Sequence, residues 1–235
     1  VGLHELTGTA KAGGVPPQLH ILNMALNVPG SADIALQERK AHPFSASAIA
    51  EERSALETLG VTALQLDAAP TLEVAYEQIE QLGLATGHAA EAEALVVDMR
   101  SRVDELVAGA DPSAGLSFYY ELDDTFYSAT SKTFIGQLFE LLGLENIADP
   151  AGKGSGGYPQ LSAEYIIEAD PDLIFLADTK CCGQSPETVA ERPGWDEIAA
   201  ATNGGVVPLD EDVAQRWGPR VVDLLSEIAA AAETA

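Results

Sequence analysis

Apolar residues recur at three- and four-residue steps through residues 89–110. This stretch contains no Gly or Pro before Gly109 and is rich in strong helix formers. The pattern predicts one amphipathic helix that buries one face and exposes its charged residues to water. At ~1.5 Å per residue the helix is on the order of 30 Å long, which is enough to join two domains. The predicted apolar stripe consists of Leu95, Val96, Met99, Val103 and Leu106.

After this helix, apolar strands alternate with amphipathic helices. The predicted strands are residues 116–122, 173–177 and 205–209, and the predicted helices are residues 133–142, 162–168, 195–201 and 221–232. Strands that are apolar on both faces and separated by helices indicate a parallel sheet covered on both sides. Ligands bind such sheets at the carboxyl ends of the strands, so we expect a site among loops 123–132, 178–186 and 210–218.

The region before the long helix is less regular. Pro and Gly interrupt every apolar run in residues 1–50, and we assign no function there. A helix capped by Ser45 and ended by Gly60 is predicted next, then a strand at 61–66 and a helix capped by Thr71. The apolar stripe of that last helix is Leu72, Ala75, Ile79 and Leu82.

Composition limits the classes of function. Of the 235 residues, 46% are hydrophobic, which is ample for a packed core. The chain has 12 Lys and Arg against 37 Asp and Glu, a net charge of −25, so we expect no nucleic-acid partner. No apolar run approaches the ~20 residues that a membrane helix needs. The first residues do not form a signal peptide, so we expect any leader to be absent from this sequence.

The candidate catalytic and metal-binding residues are few. Cys181 and Cys182 are adjacent, which fits neither a zinc pair nor a Cys-x-x-Cys redox motif. A vicinal disulfide and two reduced thiols remain alternatives, because adjacent cysteines fit ordinary disulfide geometry badly. All four histidines precede the long helix, so we predict no catalytic residues and no metal site. The acidic pair Asp123 and Asp124 is best explained as a solvated turn.

Aromatic side chains are concentrated in and beside the loops expected at the carboxyl edge, together with Arg216. Aromatic walls with a cation suit a large, partly apolar and often anionic ligand. The alternative is that the strand tyrosines are core residues, since alternate residues of a strand face opposite sides. The aromatic residues are Tyr119, Tyr120, Phe126, Tyr127, Tyr158 and Trp217.

From about residue 54 onward, the chain resembles the substrate-binding proteins of bacterial ABC importers for iron siderophores, haem and cobalamin. The segments that carry the resemblance are LETLGVTALQLDAAPTLEVAYEQIEQLGLATGHAAEAEAL, TFIGQLFELLGLENIAD, YPQLSAEYIIEADPDLIFLA and RPGWDEIAAATNGGVVPLDEDVAQRWGPRVVDLL. The resemblance implies an α/β fold of two lobes, each with a parallel sheet flanked by helices, bridged by one long helix. Residues 1–87 would form an N-terminal lobe that is short or atypical, 88–110 the bridging helix, and 111–235 the C-terminal lobe.

The resemblance also implies roles for single residues. Tyr158 matches an aromatic position that lines the ligand cleft of cobalamin-binding members, and Arg216 and Trp217 match the last cleft loop. Tyr119 and Tyr120 are weaker ligand-binding assignments. Glu164 matches an exposed acidic residue that docks on the membrane permease, although a carboxylate also suits the first turn of a helix without any partner.

The expected function is therefore capture of a metal chelate and its delivery to an ABC permease outside the cytoplasmic membrane, by a monomer in the periplasm or anchored by a lipid. No cofactor is expected, although the ligand would carry Fe or Co. A ferric siderophore is favoured because Arg216 could pair with an anionic chelate, and cobalamin or haem is the alternative. A thiol redox protein using Cys181 and Cys182 and an interaction protein without a ligand are alternatives of another class. The expected family's first-lobe motifs are not found in residues 1–50.

Overall fold

The computed structural model describes residues 19–23, 54, 58–59, 62–214 and 218–235. The helix predicted from Ser45 to residue 59 lies largely outside the described residues. Within it, the Thr58 hydroxyl donates a hydrogen bond to the Ser54 carbonyl oxygen at 2.8 Å, the spacing of one helical turn. The chain divides into two compact units, Val1–Val97 and Asp98–Ala235.

The described part of the first unit contains a parallel strand pair and the helix after it. Strand β1 (Leu19–Asn23) pairs with β2 (Thr62–Leu66), and β2 confirms the strand predicted there. Helix α1 (Leu72–Thr86) begins where Thr71 accepts a hydrogen bond from the Val74 N–H at 3.3 Å. The helix ends at Gly87, whose φ of 78° is easily adopted only by glycine. The predicted Thr71 cap and the predicted helix are confirmed.

A glycine allows α1 to approach the start of α2 (Ala89–Gly109) closely. Gly83 is buried, and a Cβ atom at this position would overlap the Ala92 side chain and lie 2.9 Å from the His88 carbonyl oxygen. The His88 N–H donates to the Gly83 carbonyl oxygen at 2.7 Å. The tight turn between the two helices therefore requires glycine at position 83.

Helix α2 confirms the long helix predicted from periodicity. Its buried stripe is shifted from the predicted one, because Leu95 is 36% exposed. Successive helical residues differ by about 100°, so Leu95 points away from the face on which Val96 is buried. The boundary between the two units falls inside α2, after Val97. The buried stripe consists of Ala92, Val96, Met99 and Val103.

The second unit is built on a parallel sheet with strand order β4-β3-β5-β6. Its strands are β3 (Ser117–Glu121), β4 (Glu145–Asn146), β5 (Leu173–Leu176) and β6 (Val206–Pro208). Its helices, after the end of α2, are α3 (Phe134–Leu141), α4 (Ala163–Ala169), α5 (Pro186–Ala190), α6 (Ala199–Asn203), α7 (Glu211–Ala214) and α8 (Val221–Thr234). The prediction of an α/β unit with a parallel sheet is confirmed.

Most boundaries in this unit agree with the prediction, with one correction. Thr133 and Ser162 cap α3 and α4 through their hydroxyl groups. The single helix predicted at 195–201 is instead a 3-10 turn, Trp195–Glu197, followed by α6. The two elements are separate because Ile198 has an extended backbone, with φ −67° and ψ 139°.

Both faces of the sheet are packed. On one face Phe118 stacks on Phe139 of α3, with ring centroids 4.1 Å apart, and Phe175 meets the same ring at 4.9 Å. On the other face Tyr119 meets Trp195 edge to face at 6.2 Å. Because both sides are covered, every residue from Phe118 to Glu121 is buried. None of the helices among the described residues combines the length and the apolar composition that a membrane span needs.

Candidate functional site

The carboxyl ends of β3, β5 and β6 lie side by side, because the three strands are parallel neighbours. The register pairs Glu121 with Leu176 and Leu176 with Pro208, so the strands end at the same level. The loops that follow them therefore leave from one edge of the second unit, called the carboxyl edge below. This is the location that the sequence predicted for a ligand site.

Tyr158 lies half-buried at the carboxyl edge. The segment around it runs antiparallel to the loop after β3. The Thr130 N–H donates to the Gly157 carbonyl oxygen at 2.8 Å, and the Ser128 N–H donates to the Pro159 carbonyl oxygen at 2.9 Å. Partial burial raises the pKa of the Tyr158 phenol, so it stays a neutral hydrogen-bonding group at neutral pH. The side chain is thus held by its backbone while part of its ring remains accessible.

Tyr119 and Tyr120 are placed in the core. Tyr119 is 0% exposed and Tyr120 is 1% exposed. The Tyr120 hydroxyl donates to the Ala214 carbonyl oxygen at 3.0 Å, which links β3 to α7. Burial raises the pKa of both phenols. The structure therefore favours the core role for both tyrosines, and it gives no support to their weaker assignment as ligand contacts.

Arg216 and Trp217, the candidates from the last loop, lie outside the described residues, and their ligand contacts stay predictions. Glu164 is exposed in the first turn of α4. Hydrogen bonds from its own backbone N–H and from the Ser162 hydroxyl lower the pKa of Glu164. The helix N-terminus therefore stabilises the Glu164 carboxylate without any partner protein, and permease docking stays a prediction.

The two adjacent cysteines are free thiols in the structure, with Cys181 exposed and Cys182 half-exposed. The vicinal disulfide stays a prediction. Partial burial, the neighbouring thiol and the negative charge of Glu211 raise the pKa of Cys181, and partial burial also raises the pKa of Cys182. Because the thiolate is the nucleophile, these shifts disfavour thiol chemistry at neutral pH.

An exposed ionic network joins the loop after β5 to the loop after β6. We call Lys180, Asp210, Glu211 and Asp212 the exposed clamp. The Lys180 ammonium group lies 2.6 Å from Asp210 and 2.8 Å from Asp212, and its side chain is 53% exposed. Glu211 accepts hydrogen bonds from the backbone N–H groups of Lys180 and Cys181, both at 2.9 Å. The clamp therefore holds the two loops together at the surface.

A second ionic network at the same edge is buried. We call Glu121, Asp178 and Arg192 the buried cluster. Glu121 is the last residue of β3 and Asp178 follows β5, and both are 0% exposed. Arg192 donates to the two carboxylate oxygens of Glu121 at 2.7 and 2.6 Å and to the Gln184 side-chain oxygen at 2.7 Å. This bidentate pair is the strongest geometry available to a guanidinium and a carboxylate.

Aromatic rings enclose the guanidinium of the buried cluster. The Arg192 guanidinium carbon lies 4.5 Å from the centre of the Trp195 ring and 5.5 Å from the centre of the Phe126 ring. Phe126 stacks on Trp195, with ring centroids 5.6 Å apart. Such contacts are favourable for a cation that has lost part of its water. Arg192 therefore connects the loop after β3, the loop after β5 and the 3-10 turn at Trp195.

Two polar groups beside Arg192 have no hydrogen-bond partner among the described residues. These are the Tyr119 hydroxyl and both carboxyl oxygens of Asp178. Burial, together with the nearby charge of Glu121, raises the pKa of Asp178 to about 8. An isolated buried carboxylate is costly, so burial favours the neutral form of Asp178.

The buried cluster was not predicted from the sequence. A charged residue at the end of an apolar strand was the available signal, in FYYEL for Glu121 and LIFLAD for Asp178. The sequence did identify the turn at Asp123, whose carboxylate accepts from the Thr125 N–H at 2.9 Å and from its hydroxyl at 2.6 Å. Within the described ranges, no three His, Cys, Asp or Glu side chains are grouped as a metal ion would require.

The family follows from comparison with known proteins. Residues 44–213 match the family model described as periplasmic binding protein. The match covers most of the chain and includes β3, β5, β6 and the loops that carry the exposed clamp and the buried cluster. The chain belongs to the periplasmic binding protein family.

Three similar proteins show the range of the family. The chain is 28% identical over 194 residues to the uncharacterized ABC transporter substrate-binding lipoprotein YvrC of Bacillus subtilis, covering 80% of this chain and 59% of that protein. It is 33% identical over 179 residues to a cobalamin-binding protein of Halobacterium salinarum, covering 74% and 48%. The crystal structure of a possible iron-binding, periplasmic solute-binding protein of Staphylococcus epidermidis has a TM-score of 0.66 at 22% identity, covering 86% and 79%.

These similarities differ in what they establish. At 22% identity the Staphylococcus epidermidis structure shows a shared fold and nothing about the ligand. The chain spans about half of the length of the curated relatives named above. The similarities therefore establish the family but not the ligand, the partner or the location of this protein.

Proposed function

We propose that the protein is the substrate-binding component of an ABC importer and that it binds a metal chelate. The observation that carries the proposal is the family match over residues 44–213. The carboxyl edge of the second unit is where a parallel sheet binds its ligand, and Tyr158 is an accessible aromatic side chain at this edge. The protein works outside the cytoplasmic membrane and hands its ligand to a membrane permease. No catalytic step is part of the proposal.

Among the chelates, cobalamin is the first candidate. The relative at 33% identity is a cobalamin-binding protein. Charge supports the same choice, because a net charge of −25 repels an anionic ferric chelate, whereas cyanocobalamin carries no net charge. Lys180 and Arg192, two cations at the carboxyl edge, are already paired with carboxylates of the protein itself. A ferric siderophore is the second candidate, and Arg216 remains the residue that would favour it.

The test is titration of the full chain with cyanocobalamin and, separately, with ferric citrate and ferrichrome. Tryptophan fluorescence and calorimetry measure the binding. Cyanocobalamin is expected to bind. Tyr158→Ala should weaken its binding about tenfold or more, about 1.4 kcal/mol, because the apolar face of the ligand loses an aromatic partner. Tyr158→Phe keeps the ring and should retain most of the affinity.

A second variant separates ligand binding from permease docking. Glu164 is exposed on α4, so Glu164→Lys should leave the affinity for cyanocobalamin unchanged. The same variant should fail to stimulate ATP hydrolysis by the reconstituted permease. The proposed ligand class is wrong if the parent protein binds none of the three chelates.

A further inference from the structure

The carboxyl groups of Glu121 and Asp178 lie close together at the carboxyl edge. Glu121 pairs with Leu176, and Asp178 follows Leu176 by two residues, just past the end of β5. The two groups are near enough for the charge of Glu121 to act on Asp178. The Ala177 N–H donates to the Glu121 carbonyl oxygen at 2.9 Å, which extends the strand pairing to the residue before Asp178. The two carboxyl groups are thus placed side by side in the interior.

The buried cluster contains more negative than positive groups. Arg192 directs two of its N–H groups to Glu121 and one to Gln184, and no side-chain donor of the described residues pairs with either oxygen of Asp178. If both acids were ionised, the cluster would hold one uncompensated negative charge at 0% exposure. An uncompensated buried charge is expensive, and proteins avoid it by binding a proton. Two neighbouring carboxyl groups can hydrogen-bond to each other only when one carries a proton.

We infer that Asp178 is a carboxylic acid at neutral pH and donates its proton in a hydrogen bond to Glu121, so that the buried cluster carries no net charge. The Arg192 guanidinium then balances the Glu121 carboxylate, and the shared proton occupies the position that a second cation would otherwise fill. Arg192 also contacts Gln184 after β5 and Phe126 after β3. The proton keeps the charges around Arg192 balanced, so it helps to hold these two loops at the carboxyl edge. This inference does not depend on which ligand the protein binds.

Among the residues that the structure describes, the surroundings of Asp178 contain no further cation that could replace the proton. The titratable and charged groups that interact electrostatically with Asp178 are Glu121, Tyr119 and Tyr120 of β3, Arg192 after α5, and Cys181 and Cys182 of its own loop. Burial raises the pKa of both tyrosines and both thiols, so these groups are neutral at pH 7 and supply no positive charge. Arg192 is the cation of this set, and it is engaged by Glu121.

The direction of the pH effect follows from the raised pKa of Asp178. In the unfolded chain Asp178 loses its proton near pH 4, whereas in the folded protein it keeps the proton until about pH 8. Between these values the folded state binds more protons than the unfolded state, so the proton contributes stability that is lost as pH rises. Above about pH 8 the effect is complete and levels off.

The experiment compares the parent protein with Asp178→Asn. The amide N–H of the new side chain can donate to Glu121 at any pH, because it does not titrate. The melting temperatures should be similar at pH 5, and the variant should melt progressively higher than the parent as the pH rises to 8. A difference in melting temperature that stays constant from pH 5 to pH 8 would overturn the inference. Taking the difference between the two proteins cancels the titration of all groups that they share.

A spectroscopic measurement tests the proton directly and does not require Asp178→Asn to be stable. At pH 7 the infrared spectrum of the parent should contain the carbonyl band of a protonated carboxylic acid. Glu121→Gln should remove this band, because a single carboxylate then faces Arg192 and Asp178 ionises to pair with it. Absence of the band in the parent, or its persistence in Glu121→Gln, would contradict a proton shared by the pair.

Discussion

Two ionic networks lie at the same edge of the same sheet and differ mainly in their exposure to water. The Lys180 and Asp210 side chains of the exposed clamp are 53% and 44% exposed, whereas the Arg192 and Glu121 side chains of the buried cluster are 15% and 0% exposed. Their shortest contacts are equal, at 2.6 Å. Distance alone therefore does not distinguish them, and their energetic roles are decided by solvent.

The physical reason is the competition between attraction and hydration. At the surface, water solvates separated ions almost as well as paired ones, so an exposed pair contributes little to stability and salt weakens it further. In the interior, each ion has lost its water, so removal of one partner leaves the other unsolvated and unpaired. The comparison predicts that equivalent substitutions in the two networks have very different consequences.

The largest effect is expected for Arg192→Met. This change keeps much of the apolar stem but leaves Glu121 buried without its cation, and breaking such pairs typically costs about 3–5 kcal/mol. Urea unfolding followed by circular dichroism at pH 7 measures the loss. Arg102→Met is the matched control, because the Arg102 pair with Asp223 at 2.7 Å is exposed. Equal losses in the two variants would refute the distinction between buried and exposed pairs.

The next effects come from two adjacent tyrosines of β3. Tyr120→Phe removes a hydroxyl that donates to the Ala214 carbonyl oxygen, so it should cost about 1–3 kcal/mol. Tyr119→Phe removes a buried hydroxyl without a described partner, so it should be neutral or stabilising by about 1 kcal/mol. Thermal unfolding of the two variants checks the opposite signs. A clear destabilisation by Tyr119→Phe would show that its hydroxyl is hydrogen-bonded in solution.

The smallest effect is expected for Lys180→Met in the exposed clamp. The melting temperature should change little at low salt, and the difference from the parent should disappear as salt is added, because screening weakens the ion pairs that are lost. The measurement is thermal unfolding over a series of sodium chloride concentrations. A large decrease in melting temperature that persists at high salt would show that the exposed clamp stabilises the fold as strongly as the buried cluster.

The elements with strong local signals were predicted well from the sequence. The long helix α2 follows from its periodicity, and β5 follows from the apolar run LIFLA. The Thr71 cap follows from the need to satisfy free N–H groups at a helix start. Thr133 and Ser162 were predicted as the first residues of their helices and are instead the caps before them. Short elements such as β4 and α5 were not predicted, because a few residues carry too little periodicity.

The candidate site was predicted less completely than the fold. The position of the carboxyl edge and of Tyr158 followed from the alternation of strands and helices together with the resemblance. The burial of Tyr119 and Tyr120 did not, because the sequence leaves open how deeply each face of β3 is covered. Arg192 was not identified at all, since it lies 71 residues from its partner Glu121 along the chain.

The sequence by itself determined the parallel α/β unit, the long helix and the edge where a ligand site would lie, because these depend on local periodicity and on general rules for parallel sheets. Only the tertiary structure decided which charges at that edge lose their water. Glu121 and Asp178 are fully buried, and the guanidinium that pairs with Glu121 is enclosed by Trp195 and Phe126, whose rings come from other segments of the chain. Desolvation is a property of the packed fold, so the sequence could not distinguish the buried cluster from the exposed clamp.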